Sequence, residues 1–302
     1  MNGTATCDGT ACGITCNAGF VPVGSNCVSI CSACDATATI VSPPGGRFTG
    51  TTSGASATTG SCGGGSAPEA IYKLVLGVTS DVFITTHGTG FNTVVYVRRD
   101  CCGGTEVGCN DNADGRTTSV LSLRGLTAGT YYVYVDGAAA GAMGAYTVDI
   151  YATAASGNNG EACGSPIRLA NVALAGTNCG YINDLEPQVG CTVSGATGQD
   201  VIYYFVLDAP TSVQLNTCSS TCIDSVLYIR DVCTGAATQR TCNDDSCRAS
   251  GTCYSNPAAV QSRTATVMLP AGAYYAVVDQ FAPAPMGLPC GGYTISSTGI
   301  PP

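Results

Sequence analysis

The chain has 302 residues, of which 20 are cysteine, 40 are glycine and 10% are charged. Because cytosolic thiols are kept reduced, this cysteine content indicates an oxidising compartment and a secreted or outer cell-surface protein. The net charge of −9, with a single lysine in the chain, leaves no basic surface to neutralise phosphates and argues against nucleic-acid binding. No apolar run reaches the roughly 18 residues of a transmembrane segment. The first residues, MNGTATC, lack the basic and apolar regions of a secretory leader, so export is predicted from the cysteines alone.

Residues 1–33 form the first predicted region, a small cysteine-rich module. This segment holds five cysteines and is too short to bury a core, so disulfides are expected to hold it together. The predicted organisation continues with a first β-sandwich at 34–153, a linker at 154–162 and a second β-sandwich at 163–302.

A duplication underlies the two predicted sandwiches. The first copy reads FNTVVYVRRDC, CNDN and LTAGTYYVYVD; the second reads IDSVLYIRDVC, CNDD and LPAGAYYAVVD. Cys34 and Cys163 are 129 residues apart, and so are Cys62 and Cys191. Changes of spacing confined to the connections are typical of a duplicated domain with variable surface loops.

Short runs rich in Val, Ile, Tyr and Thr, separated by Gly, Asn, Asp and Ser, predict antiparallel strands and no long helix. The fold class is therefore all-β, with two tandem antiparallel sandwiches. The predicted strands are 71–78, 81–86, 94–98, 119–123, 131–136 and 146–151 in the first copy, and 201–207, 212–217, 225–230, 264–269, 274–279 and 293–297 in the second.

The cysteine spacing suggests local disulfides. We expect each Asn-Asp pair to follow a closed loop, and two further short bridges to staple the second copy. The expected pairs are Cys101–Cys109, Cys233–Cys242, Cys218–Cys222 and Cys247–Cys253. Residues 1–33 and residues 34–153 each hold five cysteines, so either a bridge crosses that boundary or Cys31 pairs with Cys34.

The order of these elements resembles the bacterial pre-peptidase C-terminal (PPC-like) domain. The pattern is Asp/Asn-x-Val-Leu-Tyr-x-Arg, Cys-Asn-Asp-Asp, Ala-Gly-x-Tyr-Tyr-x-x-Val-Asp and Gly-x-Tyr-Thr, over residues 65–151 and 198–297. It is most similar to cysteine-containing versions found in tandem on secreted and surface proteins of myxobacteria and their relatives. The resemblance implies a jelly-roll-like sandwich, often calcium-associated, appended to proteases or displayed as an adhesion or binding module. The first copy departs from the pattern at Asn112, where the second has an acid, which implies unequal metal binding by the two copies.

Candidate calcium ligands follow from the same elements. Calcium prefers several oxygen ligands, commonly including two or more carboxylates. The candidates are Asp224, Asp244, Asp245 and Asp279 in the second copy, and Asn92, Asn110, Asp111 and Asp136 in the first. The alternative is that the Asn-Asp pairs are turn residues that cap their own backbone.

Two other sets of repeated residues invite a structural interpretation. Arg98 and Arg230 end equivalent strands, and we expect them to form structural ion pairs with Asp136 and Asp279 rather than to bind ligand. In each Tyr-Tyr pair, at 131–132 and 274–275, strand alternation predicts one core tyrosine and one on the outer face, where exposed rings could stack on sugars.

The chain offers little for catalysis, and we predict that it is not an enzyme. His87 is its single histidine, Lys73 lies in a predicted strand, and neither GxSxG nor HExxH occurs. The predicted function is non-catalytic binding or adhesion outside the cell, with calcium as a structural ligand and an extracellular glycan or protein as partner. Two alternatives are a structural subunit of an extracellular filament or surface layer, whose partners are copies of itself, and the ancillary domains of a secreted hydrolase.

Overall fold

The structure is a computed structural model that describes residues 3–7, 12–18, 20–192, 196, 198–218, 223–248, 260–281 and 290–302. Its regular structure is almost entirely β, as predicted. The chain divides into two compact units: unit 1 comprises Met1–Ser80 and Ile84–Ile150, and unit 2 comprises Asp81–Phe83 and Tyr151–Pro302.

Two hairpins and a short helix open unit 1. The elements are β1 Gly3–Cys7, β2 Cys12–Cys16, β3 Phe20–Val23, β4 Asn26–Ser29 and the helix α1 Ile30–Asp35. The Ser29 hydroxyl caps α1 by accepting from the backbone N–H of Ser32 at 3.2 Å. Cys16–Cys27 joins the two hairpins, and Cys31–Cys101 crosses the boundary after residue 33, which confirms one of the two expected arrangements.

The rest of unit 1 consists of two larger sheets and one short ribbon. The strands are β5 Thr39–Val41, β6 Gly45–Thr51, β7 Thr59–Gly60, β8 Gly63–Gly64, β9 Ala70–Leu76, β10 Ser80–His87, β11 Thr93–Arg99, β12 Glu106–Asp111, β13 Val120–Leu126, β14 Gly129–Gly137 and β15 Ala145–Ala154, with a 3₁₀ turn at Ala113–Gly115. The five-stranded sheet has the order β12-β11-β14-β9-β5, the four-stranded sheet has the order β13-β10-β15-β6, and β7 pairs with β8.

Unit 2 repeats this plan. Its strands are β16 Ile167–Arg168, β17 Leu174–Thr177, β18 Val201–Leu207, β19 Thr211–Asn216, β20 Ser225–Arg230, β21 Gln239–Asp244, β22 Cys247–Arg248, β23 Val260–Gln261, β24 Val267–Leu269, β25 Gly272–Gln280 and β26 Gly292–Thr298, with a 3₁₀ turn at Ala236–Thr238. The five-stranded sheet has the order β16-β18-β25-β20-β21, and the four-stranded sheet has the order β17-β26-β19-β24. Strands β18, β20, β21 and β25 therefore correspond to β9, β11, β12 and β14 of unit 1.

Every predicted strand of both copies is present, although the one expected at 264–269 begins only at Val267.

The main core of unit 2 lies between its two sheets. Tyr203 and Phe205 of β18 alternate inward and pack with Val213 and Leu215 of β19, all at 2% exposure or less. Burying one such side chain contributes about 1.5–3 kcal/mol, so this interface dominates the stability of the sandwich.

A second, smaller core covers the outer face of each five-stranded sheet. In unit 1 a segment that we call strap 1, residues 55–64, lies near Tyr96 and Tyr134; in unit 2 strap 2, residues 183–192, places Leu185 against Tyr228. All four tyrosines of the two Tyr-Tyr pairs are buried. The exposed fractions are 1% for Tyr131, 2% for Tyr132, 4% for Tyr274 and 0% for Tyr275, so these rings offer no platform for sugars.

The disulfides anchor the straps and correct the local pairs expected from sequence. Cys62–Cys109 and Cys191–Cys242 tie each strap to the edge strand of its sheet, while Cys34–Cys102 and Cys163–Cys233 are equivalent to each other. The predicted disulfides Cys101–Cys109 and Cys233–Cys242 are therefore wrong. In β12, Cys109 lies opposite Tyr96, several residues back from the turn that holds Cys101, and the extended strand carries it beyond disulfide reach.

The short bridges expected in unit 2 are also wrong. Cys218 pairs with Cys247, and Cys179 pairs with Cys290. The other expected partners, Cys222 and Cys253, lie outside the described residues. Every cysteine whose side chain is described is in a disulfide, as an oxidising compartment requires. Within the described residues, no helix has the length and apolar character needed to cross a bilayer.

Candidate functional site

Three carboxylates of unit 2 converge at one end of the edge hairpin β20–β21. Asp224 directly precedes β20, Asp244 is the last residue of β21, and Asp245 follows it. The antiparallel register pairs Val226 with Asp244, so the start of one strand meets the end of the other. One carboxylate oxygen from each acid lies within 4.8 Å of the others.

The electrostatics of this cluster favour a cation. The Oδ1 atoms of Asp224 and Asp244 are buried and have no hydrogen-bond partner in the structure. Burial, followed by repulsion from the neighbouring acids, raises the pKa of Asp224 and of Asp244 to about 6. Buried carboxylate oxygens without a partner are costly, and an oxygen-ligated divalent cation would remove that cost. The donor set therefore fits calcium.

Unit 1 repeats the geometry with less charge. Asn92 directly precedes β11 and Asp111 ends β12, and the Oδ1 atoms of both are buried and unpartnered, as in unit 2. The residue that follows the last acid of the edge strand has a left-handed backbone in both units, with φ of 62° at Asn112 and 69° at Asp245. The two sites differ in composition: unit 2 offers three carboxylates, whereas unit 1 offers one carboxylate and two amides.

Asp136 and Asp279 do not belong to these clusters. Asp279 is fully buried, and it accepts hydrogen bonds from Tyr228 Oη at 3.1 Å and from the backbone N–H of Gln280 at 2.7 Å. Asp136 accepts in the same way from Tyr96 Oη at 3.3 Å and from the N–H of Gly137 at 2.7 Å. Burial raises the pKa of Asp136 to about 6, and it raises that of Asp279 well above its usual range. Both are structural acids beneath the straps.

Asn110 also has a structural role. Its side-chain oxygen accepts from the backbone N–H of Val120 at 2.9 Å, and the equivalent Asn243 accepts from the N–H of Arg263 at 2.8 Å. In each Asn-Asp pair, the amide thus fixes the neighbouring chain and the acid faces the candidate cation site.

The expected ion pairs of Arg98 and Arg230 are absent from the described residues. The register pairs Arg98 with Tyr132 and Val94 with Asp136, so the guanidinium and the acid lie at opposite ends of the strand pair. Arg98 donates instead to Thr58 Oγ1 at 2.7 Å, to the Cys102 carbonyl at 2.9 Å and to the Thr59 carbonyl. Arg230 donates to the carbonyls of Cys233 and Glu186. Each arginine fastens its strap to the sheet.

A further pair of acids was not predicted from sequence. Glu69 and Asp200 stand directly before the equivalent strands β9 and β18, and each accepts backbone N–H groups of its strap. Glu69 accepts from Ala57, and Asp200 accepts from Leu185 at 2.9 Å and from Asp184 at 2.8 Å. The sequence feature that could have identified this pair is its repetition: each acid stands directly before a strand, and the two are 131 residues apart.

The single histidine and the single lysine have structural partners. His87 is buried, with Nε2 3.3 Å from Asp149 Oδ1, and Arg47 binds both oxygens of Asp149 at 2.7 and 2.8 Å. Burial opposes ionisation of Asp149, but the hydrogen bonds from Arg47 and His87 outweigh it and hold its pKa below the usual value. Lys73 pairs with Asp35 at 2.9 Å.

No protein-family model and no curated protein matches the sequence. Among solved structures, the chain is similar to the pre-peptidase C-terminal domain of Bacillus anthracis collagenase, with 12% identity and a TM-score of 0.28 over 37% of this chain and 93% of that one. It is also similar to the Aeromonas hydrophila periplasmic g-type lysozyme inhibitor PliG, with 15% identity and a TM-score of 0.28 over 39% and 98% of the two chains. The CUB1-EGF-CUB2 domains of rat MASP-1 match at 8% identity and a TM-score of 0.24, over 86% and 99%. Scores of this size do not establish a shared fold, so the PPC-like resemblance rests on the sequence pattern.

Proposed function

We propose that this chain is a secreted, non-catalytic binding or adhesion protein whose edge hairpins are ordered by calcium. The observation that supports it best is the repeated cluster at the end of each edge hairpin, with buried and unpartnered side-chain oxygens at equivalent positions. The disulfides fit export, because bridges of this number persist in oxidising environments. The partners of His87 and Lys73 support the non-catalytic part, since both residues are engaged in structure.

Asp224, Asp244 and Asp245 would hold the ion in unit 2, and Asn92 and Asp111 would hold a weaker one in unit 1. Bound calcium supplies positive charge to oxygens that otherwise repel one another. The backbone positions the three ligands: Asp224 and Asp244 lie at the two strand ends, and the left-handed turn at Asp245 would bring the third carboxylate to the ion. The candidate ligand is an extracellular protein or glycan that contacts these ordered loops.

Arrays of extracellular-matrix proteins and of glycans test this function directly. The oxidised, fluorescently labelled protein is applied in 2 mM calcium and again in excess chelator, a concentration of about that size saturating the weaker extracellular calcium sites. We expect binding to at least one class in calcium and loss of it in chelator. The Asp244→Asn/Asp245→Asn variant should bind no better in calcium than the wild type does in chelator. Binding that ignores both chelator and variant would contradict the calcium part, and no binding to either array would contradict the binding function.

A further inference from the structure

A cavity of about 350 Å³ lies between strap 1 and the outer face of the five-stranded sheet of unit 1. The strand register places Tyr134 directly opposite Ile71, and both residues line the cavity. The Cys34–Cys102 disulfide adds further apolar wall, and strap 1 contributes Thr58. The size of this cavity falls in the range of small-molecule sites, roughly 300–1,000 Å³.

Unit 2 fills the equivalent place with a leucine side chain. Thr58 and Leu185 hold equivalent strap positions, because the carbonyl of the residue after each one accepts from the arginine that fastens the strap. Leu185 packs into the outer core of unit 2. Among the described residues, the outer core of unit 1 receives no apolar side chain from strap 1. The cavity therefore has room for a branched aliphatic group that strap 1 does not supply.

Two opposite charges line the cavity, and neither neutralises the other. Arg98 and Glu69 form no ion pair with each other or with any other described residue. Arg98 donates to three neutral oxygens, which occupy three of its five N–H donors. Glu69 accepts from the backbone N–H of Ala57 at 3.1 and 3.2 Å, and a carboxylate can accept further donors. This lining favours a ligand that carries both charges and no net charge.

The spacing of the two charges is set by Thr58. Its hydroxyl accepts from Arg98 Nη1 at 2.7 Å, and its backbone N–H, with that of Ala57, donates to Glu69. The guanidinium and the carboxylate are thus within about 9 Å of each other, since two hydrogen bonds and the width of one residue separate them. The ammonium and the carboxylate of one α-amino acid reach across such a gap with hydrogen bonds of about 2.8 Å.

We propose that this cavity binds a free aliphatic α-amino acid of about the size of leucine. The ligand's carboxylate accepts from Arg98, its ammonium donates to Glu69, and its side chain takes the place that Leu185 fills in unit 2. Burial raises the pKa of Glu69, and a bound ammonium would offset the effect of that burial. Arg98 and Glu69 belong to neither candidate calcium cluster, so this site goes beyond the calcium-dependent function and does not rest on it.

Saturation-transfer NMR with L-leucine tests the site. We expect the oxidised wild-type protein to bind this probe with a Kd of about 1 mM or tighter, in line with the affinity per atom of small ligands. Three control probes each lack one group: 4-methylpentanoate lacks the ammonium, 3-methylbutylamine lacks the carboxylate, and glycine lacks the side chain. Each should bind at least about tenfold more weakly, because it loses a charge-assisted hydrogen bond or the apolar contact.

The Glu69→Gln variant tests the ammonium site. The amide keeps the shape of the side chain and can still accept from the N–H of Ala57, but it carries no charge. Leucine should bind this variant about tenfold more weakly than wild type, whereas 4-methylpentanoate, which has no ammonium, should bind it at least as tightly. Asp200→Asn, the equivalent change in unit 2, is the matched control and should leave both affinities unchanged.

The Thr58→Leu variant locates the aliphatic group. It places in strap 1 the side chain that unit 2 already has, so it should fill the cavity and abolish leucine binding. Ala55→Leu is the control at an exposed strap position outside the cavity lining and should leave binding unchanged. If circular dichroism shows that Thr58→Leu does not fold, the Glu69→Gln comparison decides the matter.

Any of four results would overturn the proposal. The first is the absence of wild-type binding at 10 mM leucine, about ten times the expected Kd. The second is equal affinity for leucine and the control probes, and the third is undiminished leucine binding by Glu69→Gln. The fourth is undiminished binding by folded Thr58→Leu, which would put the probe elsewhere. Calcium and chelator should not change leucine binding, so failure here is distinguishable from failure of the array experiment.

Discussion

At the residue scale, the two candidate cation sites share a backbone and differ in charge. Asn112 and Asp245 have the same left-handed conformation, and Asp111 and Asp244 have the same buried, unpartnered Oδ1. Left-handed backbone favours Asn and Asp over most other residues, so the turn alone does not select the acid. The additional carboxylates of unit 2 therefore need another reason, and ligation of a cation provides one.

The Asn112→Asp variant is expected to strengthen calcium binding by unit 1 about tenfold, because it adds a carboxylate at a position whose backbone already suits it. Calcium titration calorimetry measures the change. Asn110→Asp serves as the control, since the oxygen of Asn110 is committed to the N–H of Val120. Equal effects of the two variants would mean that general negative charge, and not the site, governs affinity.

The raised pKa values make stability depend on pH in a defined direction. Asp224 and Asp244 have folded pKa values of about 6 against an ordinary value of 3.8, so in chelator they destabilise unit 2 progressively as pH rises from about 4 through 6. Asp200, whose pKa burial raises to about 7, acts in the same direction. The proposed calcium ion would bind the ionised acids. The rise in Tm that calcium produces should therefore be present at pH 7.5 and absent at pH 5; an undiminished rise at pH 5 would contradict this assignment.

At the element scale, the sequence pattern found the strands that bury side chains and missed those that do not. The strands β9, β11, β14, β18, β20 and β25 are rich in apolar residues, are mostly buried, and were all predicted. The edge strands β12 and β21 have the sequences EVGCND and QRTCND and are mostly half-buried. They pair through backbone hydrogen bonds and contain few apolar residues, so the sequence pattern does not predict them. The Asn-Asp pairs consequently looked like loops although each ends a strand.

The candidate site was predictable only as far as the strand ends. Asp224 and Asp244 could be brought together because antiparallel strands place the start of one beside the end of the next. Asp279 also ends a predicted strand run, yet its carboxylate turns to Tyr228 under strap 2. The predicted disulfide pairs were wrong for a related reason. The true partners, Cys62 and Cys191, lie in the two straps, which in the sequence are only connections that contain Gly, Ser and Pro. The path of each strap depends on the tertiary contacts that hold it.

Removal of the strap 2 disulfide tests this element. The Cys191→Ser/Cys242→Ser variant should lose about 2–4 kcal/mol of unfolding free energy. Hydrogen exchange should also accelerate across residues 183–192, because the strap would then be held only by non-covalent contacts, such as its hydrogen bonds to Asp200 and Arg230 and the packing of Leu185. The Cys16→Ser/Cys27→Ser variant, which removes a bridge of unit 1, is the control and should leave exchange in unit 2 unchanged. Strap 2 exchanging at the wild-type rate would show that the bridge is not what holds it.

At the scale of the whole molecule, one architecture is used twice with different surroundings. Each unit has a five-stranded sheet with an inner and an outer core, a strap fastened by one arginine, one acid and one disulfide, and an oxygen-rich end on its edge hairpin. Unit 2 has three carboxylates at that end, whereas unit 1 has one carboxylate and two amides. Duplication followed by such divergence suits a binding protein, because the scaffold is retained while the surface connections change.

Calcium titration calorimetry on the oxidised protein, stripped with chelator and dialysed, measures the central claim most directly. We expect one tight site in the wild type, its loss in Asp244→Asn/Asp245→Asn, and its retention in Asn243→Asp, where the amide is committed to the N–H of Arg263. A wild-type protein that binds no calcium at pH 7.5, or a double variant that binds it equally well, would contradict the assignment of these acids as calcium ligands.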